Sequence, residues 1–313
     1  MHILVTGGAG FIGHHFVRTL STHPKVERVT VFDAHTYAAR LLVETFYPKN
    51  VEMVRGNLRG GEIGGLIRKH EFTHVVHMAA ETHVDNSIAD PDPFIRTNVL
   101  GTWNLLRELR QKKSLRMMVY VSTDEVYGSV LQGLSTETDR LIPSSPYSAS
   151  KAAGEMLCMA EYRTFKTPIV ITRGTNTFGT GQNVEKFIPK TISRILKREP
   201  IPVYGDGLQC RDWMPVSAHC SGIWAALTKG TQGEIYNLGM RNVLSNLQVV
   251  KTLAEAIVAH GGQKTHKIEH VADRWGHDRR YAVDPRKAEQ LLEWTPIACA
   301  LESVVPYYMK NET

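Results

Sequence analysis

Residues 121–128 read VSTDEVYG, a run that sets one hydroxyl and two carboxylates side by side in Thr123, Asp124 and Glu125. Two adjacent carboxylates in a closed site repel, which raises the pKa of one and lets the pair hold one proton. An acid and a base together are what elimination of water requires. Standing alone, STDE reads as a solvated acidic turn with Asp124 capping a short segment. Downstream, PYSASK puts Tyr147 and Lys151 four positions apart at the start of a helical pattern, so they share one face. A phenol with its ordinary pKa of about 10 is a poor base at neutral pH. An ammonium one turn away, with the positive ring of an oxidised redox cofactor, favours the phenolate and lowers that pKa. Tyr147 can then take a proton from a substrate hydroxyl as hydride leaves the same carbon. YxxxK alone is common on helix surfaces; its meaning comes from company.

That company is TGGAGFIG, which follows the first apolar run and places Gly7, Gly10 and Gly13 at threefold spacing. Small residues there allow a tight turn, close approach of backbone N–H groups to a pyrophosphate, and close packing of helix on sheet. Asp33 ends the next strand, VTVFD, twenty residues past Gly13. A carboxylate there accepts both ribose hydroxyls and repels a 2'-phosphate, which favours NAD over NADP.

These side chains need a parallel sheet to hold them. The first half alternates apolar runs with amphipathic segments. Strands are predicted at His2 to Thr6, Arg28 to Phe32, Val51 to Arg55, His74 to His77, Met117 to Ser122 and Ile169 to Arg173. Helices are predicted at Phe11 to Ser21, Phe94 to Gln111, Ser148 to Phe165 and near Leu247 to His260. Successive strand residues alternate faces, so Thr123, Asp124 and Glu125 can face one ligand only on the loop at the strand's carboxyl end. Ligands of open α/β sheets bind at that edge. Beyond Gly179 the texture turns to more Pro and Gly with shorter elements, as in EKFIPK and IPVYGDG, which reads as a smaller second lobe.

With 313 residues and 42% hydrophobic content the chain buries a substantial core. Against 31 acidic residues stand 37 basic ones, a balance of +6 that favours an anionic small molecule and lacks the dense Lys/Arg cluster of a nucleic-acid stripe. Cys158, Cys210, Cys220 and Cys299 form no CxxC or metal-ligand spacing, and read as reduced thiols of a cytoplasmic protein with no metal. No run is long enough to span a membrane, and MHILV enters a strand with no leader pattern before it.

With these residues assembled, the chain resembles the extended short-chain dehydrogenases/reductases, and most of all the dTDP-glucose 4,6-dehydratases. The resemblance runs from Ile3 to about Tyr308 through TGGAGFIG, HMAAETHVDNS, TNVLGT, VSTDEVYG, PYSASK, VEKFIP, PVYGDGLQCRDW, GEIYNLG and DRWGHDRRYAVD. It implies a Rossmann-type doubly wound parallel sheet over residues 1–178, with a chain return at about 212–239. Residues 179–211 and 240–313 would form a nucleotide-sugar-binding α/β lobe. It also implies that NAD is held by Gly7, Gly10, Phe11, Ile12, Gly13, Asp33, Thr36, Asn57, Leu58, Ala79, Ala80, Tyr147 and Lys151. Tyr147, assisted by Thr123 and Lys151, would deprotonate the hydroxyl on carbon 4; Glu125 would take the carbon 5 proton and Asp124 protonate the departing carbon 6 hydroxyl. Asn176, Glu185, Lys186, Arg211, Asn246 and Arg274 would meet the diphosphate and nucleotide, Pro202 and Tyr204 the base, and His83 and His277 the sugar. The helical patterns at Phe94 to Gln111 and Ser148 to Phe165 match those through which the family builds a four-helix homodimer interface.

The chain departs from the family at Asn57, where an Asp is usual, at TNTFGTGQNVEK, and at Trp275, which replaces a Pro. The last two fall on the nucleotide side, so the nucleobase is not settled by sequence. Nucleotide-sugar 4-epimerases need the Thr/Tyr/Lys set without an acid and base for elimination, and UDP-glucuronate decarboxylases resemble a TSE version. Asp124 argues against both. A non-catalytic NAD-binding sensor would have no use for the intact Tyr147, Lys151, Asp124 and Glu125.

Overall fold

The computed structural model describes residues 1–39, 48–263 and 266–311. The first strand, β1 (His2–Thr6), runs through the glycine loop into α1 (Phe11–Ser21), followed by β2 (Arg28–Asp33), β3 (Val51–Arg55), α2 (Glu62–Lys69) and β4 (His74–His77). Then come α3 (Val84–Ala89), the single turn α4 (Asp92–Phe94), a π-helical stretch (Ile95–Gly101) and α5 (Thr102–Leu109). Next are β5 (Met117–Thr123), a 3-10 turn (Asp124–Tyr127), α6 (Pro146–Phe165), β6 (Ile169–Gly174) and β7 (Asn176–Phe178). The remaining elements are α7 (Phe187–Leu196), β8 (Ile201–Tyr204), β9 (Cys210–Pro215), α8 (Val216–Lys229), β10 (Ile235–Leu238), β11 (Val243–Ser245), α9 (Asn246–Ala259), β12 (Ile268–Val271), α10 (Arg286–Leu291) and α11 (Val305–Asn311).

Seven parallel strands form the main sheet in the order β10-β6-β5-β4-β1-β2-β3. Strand alternation decides what each face buries: Ile3, Val5, Val29 and Val31 pack with Phe16, Val17 and Leu20 of α1 and Ile223 of α8. On the other face Leu4, Phe32, Val75 and Tyr120 pack with Leu66 of α2, Leu105 of α5 and Cys158 of α6. A third core joins Ile188 and Ile192 of α7, Val250 and Leu253 of α9 and Val305 of α11. Beside it lie the small sheets β11-β9-β7 and β12-β8. The segment from α8 to β10 crosses back so that β10 pairs with β6 at the edge of the large sheet.

The six strands expected from sequence are present, three of them one residue longer. Helix α6 starts two residues before the expected Ser148, because Ser145 and Ser148 cap each other reciprocally and Pro146 fills the first turn. The expected helix at 94–111 is broken into α4, the π stretch and α5; there Thr102 Oγ1 donates to Asn98 O and Gly101 packs on Leu58. GGEIGGLIRK, despite its glycines, folds as α2 because Ile63, Leu66 and Ile67 are buried. Among the described residues no helix is long and apolar enough to cross a membrane.

Gly154 fixes how α6, the carrier of Tyr147 and Lys151, sits on the sheet. A Cβ there would lie 2.1 Å from the Tyr120 hydroxyl oxygen on β5. Gly154→Ala should therefore cost about 1–3 kcal/mol in urea unfolding, as overpacking does. Tyr120→Phe added to it should recover much of the loss, and no recovery would mean the clash lies elsewhere.

Candidate functional site

A cavity of about 460 Å³ runs along the carboxyl ends of the central strands. Its wall includes Gly7, Gly10, Phe11, Ile12, Gly13, Asp33, Thr36, Asn57, Leu58, Ala79 and Ala80 at one end. Thr123, Asp124, Glu125, Tyr147, Lys151, Asn176, Glu185 and Lys186 lie at the other. Gly7 has a φ of +74°, and a Cβ on it would come 2.5 Å from Ala79 N; one on Gly13 would come 2.2 Å from Gly7 O. Only hydrogen fits at either place. Gly10 caps α1 without a side chain and the first turn carries no acidic residue, so the helix N-terminus presents bare N–H groups suited to a pyrophosphate. Asp33 is held by its own surroundings: Oδ2 accepts from Ala9 N at 2.9 Å and Oδ1 from His35 N at 2.8 Å. The anion-binding turn and the fixed carboxylate on the next strand fit a dinucleotide with free ribose hydroxyls.

At the reacting end, Thr123 closes β5, opposite Gly174 of β6, and the chain then tightens into the 3-10 turn that carries Asp124 and Glu125. The three residues sit at the strand end, though only the carboxylates are past it. The capping side chain is that of Thr123, which accepts from Glu125 N at 3.4 Å, and not that of Asp124. Asp124 is 2% exposed, and its Oδ2 has no hydrogen-bond partner. Burial raises its pKa well above the carboxylate range, the charges of Glu125 and Asp212 add to this, and Arg211 opposes it. Burial also raises Glu125, but Arg274, Arg211 and Lys186 pull it back. One carboxyl is therefore held neutral and its neighbour kept closer to charged.

Lys151 differs from expectation. Its Nζ donates to Val121 O at 2.7 Å and lies 4.2 Å from the centre of the Tyr120 ring. Burial lowers it to about 8, against the charge of Glu155, which raises it. The Tyr147 phenol is pushed above its ordinary value, first by burial and then by Glu125, and the group that opposes this is Thr123, through a hydrogen bond. The lowering expected from the ammonium is thus not realised by these side chains alone.

On the small-lobe side, Lys186 Nζ donates to Thr82 O at 3.1 Å, and Glu185 accepts from the Tyr37 hydroxyl at 3.3 Å and faces His83 at 3.9 Å. Asp85 gathers the Tyr204 hydroxyl at 2.9 Å and Arg274 at 3.4 Å. His277 is paired with Asp273 at 2.6 Å. Arg211 donates to Cys210 O and Asp278 O and stacks over Tyr281. Pro202 lies in β8 and Asn246 opens α9, its N–H donating to Gln209 O. His83, Pro202, Tyr204, Arg211, Asn246, Arg274 and His277 are outside the cavity wall, although Arg211 and Arg274 reach Glu125 electrostatically. Sequence reasoning missed Thr175, Trp213 and His219, which line the cavity with buried polar atoms that lack partners. No motif marks them, since a lone His in AHCSG reads like any helix residue.

Residues 4–305 match the sequence profile of the family described as GDP-mannose 4,6 dehydratase. The chain is 41% identical to a dTDP-glucose 4,6-dehydratase of Streptomyces griseus, over 100% of this chain and 95% of that protein. Its structure superposes on the dTDP-glucose 4,6-dehydratase of Streptomyces venezuelae, solved with NAD bound, with a TM-score of 0.92 at 39% identity, covering 99% and 98% of the two chains. A UDP-glucuronic acid 4-epimerase of Bacillus cereus, in complex with UDP-glucuronic acid and NAD, shares the fold at TM-score 0.91 and 28% identity, covering 99% and 100%. Glycine loop, tyrosine-lysine helix and paired carboxylates stand together in a chain matched over nearly its whole length, and this protein belongs to the GDP-mannose 4,6 dehydratase family of nucleotide-sugar enzymes.

Proposed function

We propose that this protein is a nucleotide-sugar 4,6-dehydratase that converts dTDP-glucose to its 4-keto-6-deoxy product. One observation carries the reading: a buried carboxyl with an unpartnered oxygen, Asp124, stands next to Glu125, a carboxyl in the field of three cations, on the wall that also bears Tyr147. A 4-epimerase has no use for that pair.

NAD, when bound, would supply a hydride acceptor for carbon 4 and a hydride donor for carbon 6, and the positive charge of its oxidised ring would favour loss of the Tyr147 proton. Gly7, Gly10–Gly13 and Asp33 would hold it, with Asp33 disfavouring a 2'-phosphate. Tyr147 takes the carbon 4 hydroxyl proton, and Thr123 stabilises the phenolate through its hydrogen bond. The resulting ketone acidifies carbon 5. Burial raises Glu125, which strengthens it as a base, while Arg274, Arg211 and Lys186 oppose that rise and favour its charged form. Asp124, kept protonated by burial, gives its proton to the leaving hydroxyl, and Glu125 returns its proton to carbon 5 when hydride is added at carbon 6.

Lys186, Arg211, Arg274, Asn176, Glu185 and Asn246 are assigned to the diphosphate and nucleotide, Pro202 and Tyr204 to the base, and His83 and His277 to the sugar. Guanidinium groups suit phosphate because they donate two parallel bonds. The sheet over 1–178 with the return at 212–239 would carry the cofactor, and 179–211 with 240–313 the nucleotide. Trp103 on α5, Met156 and Phe165 on α6, and Ile95 and Leu100 before them are exposed. That apolar surface supports a homodimer through paired α5 and α6 helices. The four cysteines are free, which fits the cytoplasm.

Asp124→Asn should slow loss of water from dTDP-glucose by about 10²- to 10⁴-fold, read as the mass of one water, while carbon 5 still exchanges with deuterated solvent. Glu125→Gln should stop both. Unchanged dehydration in either variant would overturn the assignment. Stability gives a second check. Because the folded pKa of Asp124 is raised, its contribution is fully present below the unfolded value and is lost as pH rises through the folded one. Asp124→Asn cannot ionise, so its unfolding midpoint should gain on the native protein as pH rises from the ordinary carboxylate range toward the raised folded value. A difference that does not change with pH would mean Asp124 is already ionised. Light scattering should give the mass of two chains, and a single-chain mass would reject the helix-paired dimer.

A further inference from the structure

His219, on α8, is 3% exposed and belongs to the wall of the cavity, yet no step above uses it. We assign the one hydroxyl hydrogen of Thr177 to Thr175 O at 3.1 Å, which makes the threonine the acceptor in its 2.8 Å contact with His219 Nδ1. Nδ1 therefore carries the proton and Nε2 is a bare acceptor, and Nε2 has no partner. Burial lowers the ring's pKa to about 4, which keeps it neutral at physiological pH. The ring edge lies against Gly174, where a Cβ would come 2.5 Å from Nε2. A side chain at 174 would fill the space in front of that nitrogen.

Position in the sheet says which part of a ligand comes here. Gly174 pairs with Thr123 across β5 and β6, while Asp33 ends β2 and the glycine loop follows β1. A dinucleotide with a ribose at Asp33 and its pyrophosphate at the loop therefore points its other base toward β5 and β6. Two more residues of the same cavity wall have buried atoms without partners: Trp213 through Nε1, which can only donate, and Thr175, next to Gly174, through Oγ1. An acceptor beside donors matches a primary amide, which has both N–H groups and a carbonyl.

We propose that His219 is a positioning residue for the cofactor, its Nε2 accepting a hydrogen bond from the carboxamide of the nicotinamide ring and so choosing the face the ring presents to the sugar. This rests on the NAD reading above. The test is equilibrium displacement of labelled NAD from the full chain by NAD, by its 3-acetylpyridine analogue, which lacks the amide N–H, and by ADP-ribose, which lacks the ring. His219→Leu should weaken NAD on the order of tenfold, the range of one buried hydrogen bond, leave ADP-ribose unchanged, and erase the native preference for NAD over the acetylpyridine analogue. His219→Gln, which restores an acceptor, should recover part of that preference. Equal weakening of NAD and ADP-ribose would make His219 merely structural, and undiminished NAD binding by His219→Leu would also overturn the proposal. ADP-ribose binding by the native chain tests the cofactor reading separately, so its failure is distinguishable from failure of the role given to His219.

Discussion

The withdrawal of the Asp124 carboxyl from water is the constraint on which the site depends. An ionised carboxylate at 2% exposure with an oxygen lacking any donor would cost several kcal/mol, so the group stays protonated. Neutrality is what makes it an acid. Its neighbour shares the peptide chain but not the surroundings, because the 3-10 turn sends Glu125 toward Arg211, Arg274 and Lys186. Two identical functional groups in adjacent positions thereby acquire opposite tasks.

Backbone geometry makes that separation possible. Were residues 123–125 to continue as a strand, Asp124 and Glu125 would fall on opposite faces of the sheet. The Thr123 hydroxyl, accepting from Glu125 N, turns the chain at the last residue paired to β6, and Gly128 at φ 74° releases it five residues later. The cavity wall can therefore carry both carboxyls, with the Tyr147 phenol beside them.

How much of this could be read beforehand depended on the kind of signal. Short apolar runs alternating with amphipathic segments located β1 to β6 closely because most of these strands are buried on both faces, with only the edge strand β3 partly exposed. Glycine spacing and Asp33 identified the cofactor end because sterics leave so little choice there, as Gly7 and Gly13 demonstrate. The π stretch at Ile95–Gly101 was illegible, since a widened turn does not disturb the apolar pattern over a few residues. Helix α2 was hidden by four glycines that packing overrides. His219 was invisible for another reason. Its importance arises from a partner on β7 and a missing Cβ on β6, contacts that no local pattern encodes.

The electrostatics beneath Tyr147 also required three dimensions. One turn beyond Lys151, Glu155 is fully buried and clasps Arg173 of β6 through Nε and an Nη, while Arg173 also donates to the Tyr127 hydroxyl. The pair ties α6 to the 3-10 turn, so the helix bearing the phenol and the turn bearing the carboxyls share one buried anchor. Breaking such a pair costs about 3–5 kcal/mol because a charge is left without compensation. Glu155 also supplies the largest influence raising Lys151, which burial alone would drive lower still. A buried ammonium at about 8 is therefore the outcome of two opposed effects. The lysine remains mostly charged at neutral pH because an anion that never meets the substrate sits behind it. That makes the ion pair part of the chemistry as well as of the fold: it fixes where Tyr147 stands and keeps a positive charge beneath the reacting end of the cavity.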